Sequence, residues 1–347
     1  MLLFPLYLLS LAYGGAVRTR SLFYSLGFLK TKTLPCPVIS IGNITVGGTG
    51  KTPLVMDLAN GLLARGIPVA ILSRGYKGTR MSEPIVSDGK AIFLSPEESG
   101  DEPFLMANSC PGIPVLVGRN RFVNGRIAIQ RFNVKGLILD DGYQHIALHR
   151  NINILLVDSQ RAFGEGALLP RGILREPLSQ IRRADLFLLT KVENPQTAQE
   201  LEKTIRQNHP SSEVFHSHYD PVCLINPDDE QEPLHSLKGR RVLALSGIAS
   251  PDYFSSLLEK CEAKIVSQFN FPDHHLYRPE DLFSIKEKSR GADYIVTTEK
   301  DMVKLKKLDL FQLPIRALRV EMKIWEEKEF YQRIIQVFKN SVSSFTQ

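Results

Sequence analysis

The chain has 347 residues, of which 43% are hydrophobic and 23% are charged, and it carries a net charge of +6. This composition is that of a folded globular protein, it excludes a disordered or fibrous chain, and the length allows two domains. The four cysteines are widely spaced and form no Cys-x-x-Cys pair, which argues against a disulfide framework and against a zinc site. We interpret them as small buried apolar residues in a reducing compartment.

The first segment, Met1–Val17, is uncharged and rich in leucine and aromatic residues. Basic residues follow it, and no acidic residue occurs before Asp57. An apolar run beside positive charge favours an anionic membrane over nucleic acid, and the position of that charge predicts that the rest of the chain is cytoplasmic. We therefore predict a membrane-anchoring helical segment over residues 1–32, which spans the bilayer or lies in its interface. The alternative is a buried core helix, because a membrane span needs about 20 apolar residues and Met1–Val17 is a little shorter than that.

A glycine-rich run follows a predicted buried strand, and it reads Thr45-Val46-Gly47-Gly48-Thr49-Gly50-Lys51-Thr52. It departs from the general phosphate-binding pattern G-x-x-x-x-G-K-S/T only at its first residue, Thr45. Backbone N–H groups in such a loop surround nucleotide phosphates, with Lys51 on the β- and γ-phosphates and Thr52 on Mg²⁺. The run therefore predicts binding of a nucleoside triphosphate. The alternative is an ordinary glycine-rich turn between a strand and a helix.

Predicted strands and helices alternate along the remaining chain. Apolar runs such as Ile67–Ser73 and Asn153–Asp158 alternate with helical patterns such as Pro53–Arg65. The alternation predicts an α/β fold, a P-loop NTPase-like parallel sheet covered on both faces. The polar, proline-containing stretch Asp220–Gly239 is interpreted as a connection. It divides the chain into a P-loop domain over residues 33–220 and a smaller α/β domain over residues 221–347.

A pair of carboxylates, Asp140 and Asp141, ends another apolar run. A carboxylate at the end of a strand beside a P-loop is the Walker B arrangement, which holds Mg²⁺ directly or through water. Adjacent side chains of a strand point to opposite faces, so the two residues are not expected to share one role. Which of them faces the metal stays open, and the alternative for both is a solvated strand end. Gln144 and His145 follow as candidates for reaching the substrate or ordering the loop.

Three further segments each have a chemical and a structural interpretation. Ser99–Glu102 offers a carboxylate that accepts a hydroxyl proton, or a helix N-cap. Phe271–Tyr277 contains two adjacent histidines, which are candidates for tuning a catalytic base or are ordinary loop residues. Leu169–Pro177 offers basic side chains to a phosphate, or an internal pair between Arg175 and Glu176. The residues alone leave these alternatives open.

Taken together, these segments resemble the tetraacyldisaccharide 4′-kinases, the lipid A 4′-kinases of Gram-negative bacteria. The resemblance covers nearly the whole chain, and its runs are Ile41–Asn43, Val46–Pro53, Ser73–Tyr76, Gly100–Glu102, Asp140–His145, Leu169–Glu176, Phe271–His274 and Thr298–Asp301. Thr45 in place of the general glycine is shared with this family. Arg171 and Ile173 depart from it, since the family more often has a small residue and a proline there.

The resemblance implies phosphorylation of the 4′-hydroxyl of a tetraacyldisaccharide 1-phosphate by ATP with Mg²⁺, at the cytoplasmic face of the bacterial inner membrane. The P-loop domain is then a kinase domain, and the smaller domain contributes to the active-site cleft. We expect no nucleic acid partner, and no protein partner is implied.

The resemblance also implies roles for individual residues. Asp101 is assigned as the catalytic base, and His274 as the residue that orients it or raises its basicity, with His275 as the fallback. Lys51 is assigned to catalysis as well as to nucleotide binding. The residues assigned to Mg²⁺ are Thr52, Glu102, Asp140 and Asp141. The residues assigned to the substrate are Arg74, Arg119, Gln144, His145 and Arg171.

Two functions of other classes stay open. One is a membrane-associated P-loop NTPase that acts as a switch or assembly factor. Thr190-Lys191 follows a strand as in a guanine-reading NKxD loop, although Thr190 and Glu193 stand in the Asn and Asp places. Strict dependence of hydrolysis on a glycolipid acceptor separates the kinase from the switch. The other is a non-enzymatic lipid-binding scaffold, which leaves the P-loop without a purpose.

Overall fold

The computed structural model describes residues 3–75, 84–273, 275–310 and 313–344. Its chain forms two compact units. The first unit comprises Met1–His218 and Ile324–Gln347, and the second comprises Tyr219–Lys323. The second unit is thus an insertion in the sequence of the first.

In chain order the strands are β1 Val38–Gly42, β2 Val69–Ser73, β3 Ile85–Ser87, β4 Val115–Val117, β5 Gly136–Leu139, β6 Ile152–Asp158, β7 Leu186–Thr190, β8 Glu213–Ile225, β9 Gln231–Pro233, β10 Arg241–Ser246, β11 Lys264–Asn270, β12 Tyr294–Thr298 and β13 Ile315–Ile324. The helices are α1 Leu3–Ser25, α2 Lys51–Ala64, α3 Pro96–Ser99, α4 Asp101–Ser109, α5 Arg121–Phe132, α6 Pro195–Asn208, α7 Pro251–Lys260, α8 Pro279–Lys288, α9 Glu299–Leu305 and α10 Glu327–Ser344. Short 3-10 turns occur at Leu178–Arg183 and Leu234–Leu237.

The sheet of the first unit has the strand order β3-β4-β2-β5-β1-β6-β7-β8. Its described pairs are parallel except β3 with β4. Every residue of β1, β2, β5, β6 and β7 is buried, as expected for a parallel sheet covered on both faces. The predicted α/β fold is confirmed. Because parallel strands end on the same side, the segments that follow β1, β2, β4, β5, β6 and β7 lie together, and we name them the carboxyl edge.

Helix α2 starts two residues earlier than the predicted Pro53–Arg65. Its predicted apolar face is correct, because Leu54, Leu58 and Leu62 are fully buried. Helix α10 packs against α2: the Tyr331 hydroxyl lies 3.0 Å from Asp57 Oδ2, and a Cβ added at Gly61 would lie 2.1 Å from the Tyr331 hydroxyl oxygen. The C-terminal residues therefore belong to the first unit, which differs from the expected domain over residues 221–347.

In the second unit, β11, β10, β12 and β13 form consecutive parallel pairs. The stretch Asp220–Gly239 was expected to be a connection, and this expectation is wrong. It contains the end of β8, the whole of β9 and the 3-10 turn that follows. The end of β8 pairs antiparallel with β9, so that Cys223 lies opposite Pro233 and Ile225 lies opposite Gln231. Pro227 and Pro233 occupy a turn and a strand end, where proline is tolerated, whereas Pro221 lies within β8.

Helix α1, Leu3–Ser25, covers most of the anchor segment predicted over residues 1–32 and ends before its predicted end. Within the described residues, no helix combines the length and the apolarity needed to cross a membrane. The alternative of a buried core helix is wrong, because many of the large apolar side chains of α1 are exposed. These are Phe4, Tyr7, Leu8, Leu9, Leu11, Leu22 and Phe23.

Candidate active site

The glycine-rich run forms the loop between β1 and α2. Gly47 and Gly50 have φ angles of 110° and 86°, in the left-handed region that favours glycine, and Gly50 caps the helix that begins at Lys51. Thr45 tolerates a side chain because it is not at such a position: it forms an antiparallel bridge with Leu174. The loop therefore presents a helix N-terminus of the kind that binds phosphate.

Lys51 lies at the start of α2 and contacts two side chains of the carboxyl edge. Its Nζ donates to Asn43 Oδ1 at 3.2 Å and lies 3.5 Å from Asp141 Oδ1. Arg175 Nη1 donates to both carboxylate oxygens of Asp141, at 2.9 and 3.0 Å. Burial disfavours the charge on Asp141, but Lys51 and Arg175 together hold the pKa of this carboxyl below its ordinary value.

Asp140, the neighbour of Asp141, has a different environment. Ser73 Oγ donates to its Oδ2 at 2.8 Å, whereas its Oδ1 is buried with no partner among the described residues. Burial, together with the charges of Glu102 and Asp141, raises the pKa of Asp140 to about 6. A buried carboxylate oxygen without a partner is costly unless a ligand satisfies it. The structure thus gives Asp140 and Asp141 different environments, whereas the sequence does not indicate which of them faces the metal.

Arg121 is buried at the start of α5 and was not singled out from the sequence. Its Nη2 donates to the backbone oxygen of Asp140 at 2.9 Å. Burial lowers the pKa of Arg121, and the two neighbouring aspartates oppose that shift. The only signal in the sequence is its place one residue after Asn120, whose side chain caps α5. Such a cap is also found in helices without functional charge.

Asp101 and Glu102 form the first turn of α4, which follows Gly100 with a φ of 94°. Both side chains are half-buried. The charge of Glu102 is one of the causes that raise the pKa of Asp140, after burial.

The residues assigned to the substrate fall into two groups. Arg74 and Arg119 are exposed and follow β2 and β4 on the carboxyl edge. Gln144, in the segment after β5, donates from its Nε2 to the backbone oxygen of Asn43 at 2.9 Å. It therefore helps to hold the chain just before the P-loop in place. Burial, with help from nearby arginines, lowers the pKa of His145 to about 4, which keeps its imidazole neutral at pH 7.

Arg171 belongs to the segment that pairs with the P-loop through the bridge between Thr45 and Leu174. Its guanidinium lies 5.3 Å from the ring centroid of Tyr7 on α1. Helix α1 contacts the same segment at Tyr13, whose hydroxyl donates to the backbone oxygen of Arg175 at 2.7 Å. One segment of chain therefore contacts both helix α1 and the P-loop.

The assigned partner of Asp101, His274, lies outside the described residues, as does Tyr76 of the motif that begins at Ser73. The fallback residue, His275, is described: its Nε2 lies 2.9 Å from Asp281 Oδ2, and its ring stacks on Phe271 with centroids 4.4 Å apart. His275 is thus engaged within the second unit. The pairing of Asp101 with a histidine stays a prediction.

Within the part of the chain that the structure describes, no group of three or more His, Cys, Asp or Glu side chains is arranged to hold a metal. Mg²⁺ that binds with a nucleotide needs only one or two carboxylates, because phosphate oxygens and water complete its shell. The unpartnered Oδ1 of Asp140 and the Thr52 hydroxyl in the first turn of α2 fit this requirement.

The chain matches the family model described as tetraacyldisaccharide-1-P 4′-kinase over residues 2–339. It is 43% identical to a tetraacyldisaccharide 4′-kinase of Syntrophus aciditrophicus over 95% of this chain and 92% of that protein. It is also 43% identical to one of Geobacter sulfurreducens, over 90% and 86%.

A crystal structure of LpxK from Aquifex aeolicus in complex with ATP has the same fold. The TM-score is 0.76 at 36% identity, and the match covers 97% of this chain and all of that one. The phosphate-binding loop and the carboxylates at the carboxyl edge are what these similarities to kinases lead one to expect. The chain belongs to the tetraacyldisaccharide-1-P 4′-kinase family.

Proposed function

We propose that this protein transfers the γ-phosphate of ATP to the 4′-hydroxyl of a tetraacyldisaccharide 1-phosphate. The observation that carries the proposal is the buried Asp140 oxygen without a partner, which lies on the same edge as Lys51 and a glycine-capped helix N-terminus. These are the parts that phosphoryl transfer from a nucleotide needs: a cradle for phosphates, a mobile cation and a carboxylate for a metal.

Residues 45–52 bind the ATP phosphates in this proposal. Lys51 leaves Asn43 and Asp141 to contact the β- and γ-phosphates, and Asp141 stays paired with Arg175. Thr52, Asp140 and Glu102 would hold Mg²⁺, which when bound neutralises charge on the phosphate oxygens. Asp140 is the better candidate of the two aspartates, because Asp141 already has two cationic partners.

Asp101 takes the proton of the 4′-hydroxyl while the hydroxyl oxygen forms a bond to the γ-phosphorus and the bond to ADP breaks. Asp101 lies in the first turn of α4, directly after Gly100. His274 of the second unit orients Asp101 or raises its basicity. If Asp101→Ala folds, binds ATP and keeps nearly full turnover, this assignment is wrong.

Helix α1 lies in the interface of the inner membrane in this proposal and keeps the enzyme where its lipid substrate resides. The proposal is supported by its exposed apolar side chains, with Phe4 and Leu9 68% and 57% exposed. Its inward side is polar or small: Ser10 Oγ donates to the Leu168 carbonyl, and a Cβ at Gly14 would meet Leu168 at 2.7 Å. An apolar face of this extent indicates an interaction surface.

The test measures transfer of labelled phosphate from γ-labelled ATP to a tetraacyldisaccharide 1-phosphate in mixed micelles. The wild type is compared with Lys51→Ala and with Lys90→Ala, a matched control at an exposed lysine of the same unit. Labelled lipid from the wild type and Lys90→Ala, but not from Lys51→Ala, supports the proposal. Lys51-dependent release of free phosphate without labelled lipid would overturn it in favour of an NTPase switch.

A further inference from the structure

The end of β7 holds the back of the P-loop. Thr190 is fully buried, and Lys191 is 5% exposed with a φ of 58°. Lys191 Nζ donates to the backbone oxygen of Gly48 at 3.0 Å, and Thr190 Oγ1 donates to that of Thr49 at 3.0 Å. Two consecutive residues of one strand end thus bind two consecutive carbonyls of the P-loop.

The neighbouring strand fixes these two residues. Asp158, at the end of β6, accepts from Lys191 Nζ at 2.5 Å. Ser159 donates from its hydroxyl to the Lys191 carbonyl at 2.7 Å and from its backbone N–H to the Thr190 carbonyl at 3.0 Å. Hydrogen bonds to both peptides at the end of β7 make this a rigid support.

This arrangement is unfavourable for the free energy of folding, so a contribution to stability does not explain why it is present. A non-glycine residue in the left-handed region is disfavoured, and a buried ion pair is commonly no more stable than apolar residues of the same volume. Burial lowers the pKa of Lys191, and the Asp158 carboxylate opposes this shift. A residue that is left-handed, buried and paired in the interior suggests a role in positioning.

The geometry of the peptide bond links these contacts to the nucleotide. In a planar trans peptide the N–H points opposite to the C=O. Because Thr190 binds the Thr49 carbonyl, the N–H of Gly50 in the same peptide points away from β7. A carbonyl held by Lys191 at Gly48 likewise fixes the N–H of Thr49, which donates to Gly47 at 3.1 Å and closes the narrow turn of the loop.

We propose that Thr190 and Lys191, supported by Asp158, are positioning residues of the nucleotide site: Thr190 holds the Thr49–Gly50 peptide in the orientation that binds a nucleotide phosphate, and Lys191 holds the turn at Gly47–Thr49 that shapes the loop. The Thr190-Lys191 pair, which does not fit a guanine-reading motif, thereby has a function in holding the P-loop. The inference rests on the proposed function, because it concerns the ATP site of the same enzyme. It predicts a loss of ATP affinity that exceeds any loss caused by weaker folding.

The first test substitutes Thr190. Thr190→Val keeps the shape and removes the hydroxyl, and Thr190→Ser keeps the hydroxyl. The dissociation constant for ATP with Mg²⁺ is measured by calorimetry without lipid, beside the thermal unfolding midpoint. We expect Thr190→Val to weaken ATP binding roughly threefold to tenfold, the range for one net hydrogen bond, and Thr190→Ser to restore it.

The matched control is Ser217→Ala. Ser217 is buried and its hydroxyl donates to the Leu189 carbonyl at 3.1 Å, so the control removes a similar bond to β7 away from the P-loop. We expect a similar fall in unfolding midpoint and unchanged ATP affinity. Equal ATP affinity in Thr190→Val and the wild type, or an equal loss of affinity in Ser217→Ala, would overturn the inference.

A double variant keeps the inference testable if Thr190→Val does not fold. Lys191→Met with Asp158→Asn removes both charges, leaves no buried ion alone, and keeps the amide oxygen that can accept from Gln160 N–H as Asp158 Oδ1 does. We expect weaker ATP binding and a higher KM for ATP, with KM for the lipid unchanged; unchanged ATP affinity would overturn the inference. A wild type that binds ATP but phosphorylates no lipid would refute the proposed function and leave this binding test intact.

Discussion

The carboxyl edge of the first unit and the outer face of α1 depart from ordinary burial in opposite directions. At the edge, Asp140, Arg121 and Lys191 carry ionisable groups with 3%, 3% and 5% exposure, whereas on α1 Phe4 and Leu9 are 68% and 57% exposed. Charged side chains are rarely buried and large apolar ones are rarely exposed in a continuous face. Each region is therefore shaped for a partner, a polar ligand in one case and an apolar surface in the other.

The two departures differ in how the fold supports them. Each buried charge at the edge has a partner from another segment, such as Ser73 for Asp140 and Asp158 for Lys191. The exposed side chains of α1 need no such support, since that helix is held by polar contacts on its other side. Substitution at the edge should therefore affect chemistry and stability together, whereas substitution on the outer face of α1 should affect only the proposed membrane interaction.

The largest expected effect comes from Asp140→Asn. Loss of the carboxylate removes a proposed metal ligand, and we expect turnover to fall about 100-fold or more, the range for loss of a key electrostatic group. Steady-state phosphate transfer to the lipid at saturating ATP measures it. Turnover within twofold of the wild type would show that Asp140 does not serve the reaction.

The same substitution should stabilise the protein free of nucleotide and metal. The pKa of Asp140 is raised from 3.8 to about 6 by folding, so folding favours the protonated form. Its stabilising contribution is present below the unfolded pKa and is lost as pH rises through about 6. We expect Asp140→Asn to raise the unfolding midpoint by a few degrees (~2–4 °C) at pH 8, and by roughly half as much at pH 5. An equal shift at both pH values would contradict the burial argument.

The second effect concerns α1. Replacing Phe4, Leu8 and Leu11 with serine removes apolar area that a membrane interface would cover. We expect binding to anionic vesicles to weaken on the order of 100-fold, since each such side chain contributes about 1.5–3 kcal/mol when fully buried and these are only partly covered. Vesicle co-sedimentation measures the binding, and the unfolding midpoint should not change.

The control for α1 replaces three exposed apolar residues elsewhere in the same unit. Ile92, Phe93 and Val123 are 41%, 57% and 45% exposed, and their change to serine should leave vesicle binding as it is. If this control weakens binding as much as the α1 variant, the outer face of α1 has no special role.

A smaller effect is expected at Arg175, where both regions meet through one segment. Arg175→Lys keeps the charge but loses the guanidinium Nη1 that donates to both carboxylate oxygens of Asp141. We expect about tenfold lower turnover, because Lys51 would then be held closer to Asp141, with about 1 kcal/mol lower stability. Exposed Arg126→Lys is the control, and equal turnover of the two variants would exclude a role for Arg175.

The smallest effect is expected from Tyr13→Phe. It removes the bond from the hydroxyl to the Arg175 carbonyl and should favour local opening of α1 by about 1 kcal/mol. Hydrogen exchange of the α1 amides should quicken while exchange in α2 stays constant, and Tyr7→Phe at an exposed tyrosine is the control. Equal exchange in both variants would mean that this bond does not dock the helix.

The strand, loop and helix around the P-loop could be predicted because their signals are local. Glycines with left-handed φ angles and the apolar spacing of Leu54, Leu58 and Leu62 lie within one short segment. The choice between Asp140 and Asp141 could not be predicted, because it depends on Ser73 and Arg175, which reach these carboxylates from other segments.

Longer-range contacts explain the other differences. The sequence allowed a pair between Arg175 and Glu176, but adjacent side chains diverge: Arg175 binds Asp141, and Glu176 binds Arg183. The apolar pattern of α10 predicts a helix but not the surface it covers, which is set by Tyr331 against Gly61. The roles of Asp101 and His274 remain predictions from resemblance.

The contact of α10 with α2 also determines when the first unit can be completed during synthesis. The ribosome makes the P-loop and α2 early, then the whole second unit from Tyr219 to Lys323, and only then α10. Until α10 emerges, the surface of α2 around Asp57 and Gly61 has no cover from Tyr331. The nucleotide-binding unit thus reaches its final packing only after the inserted unit has been synthesised.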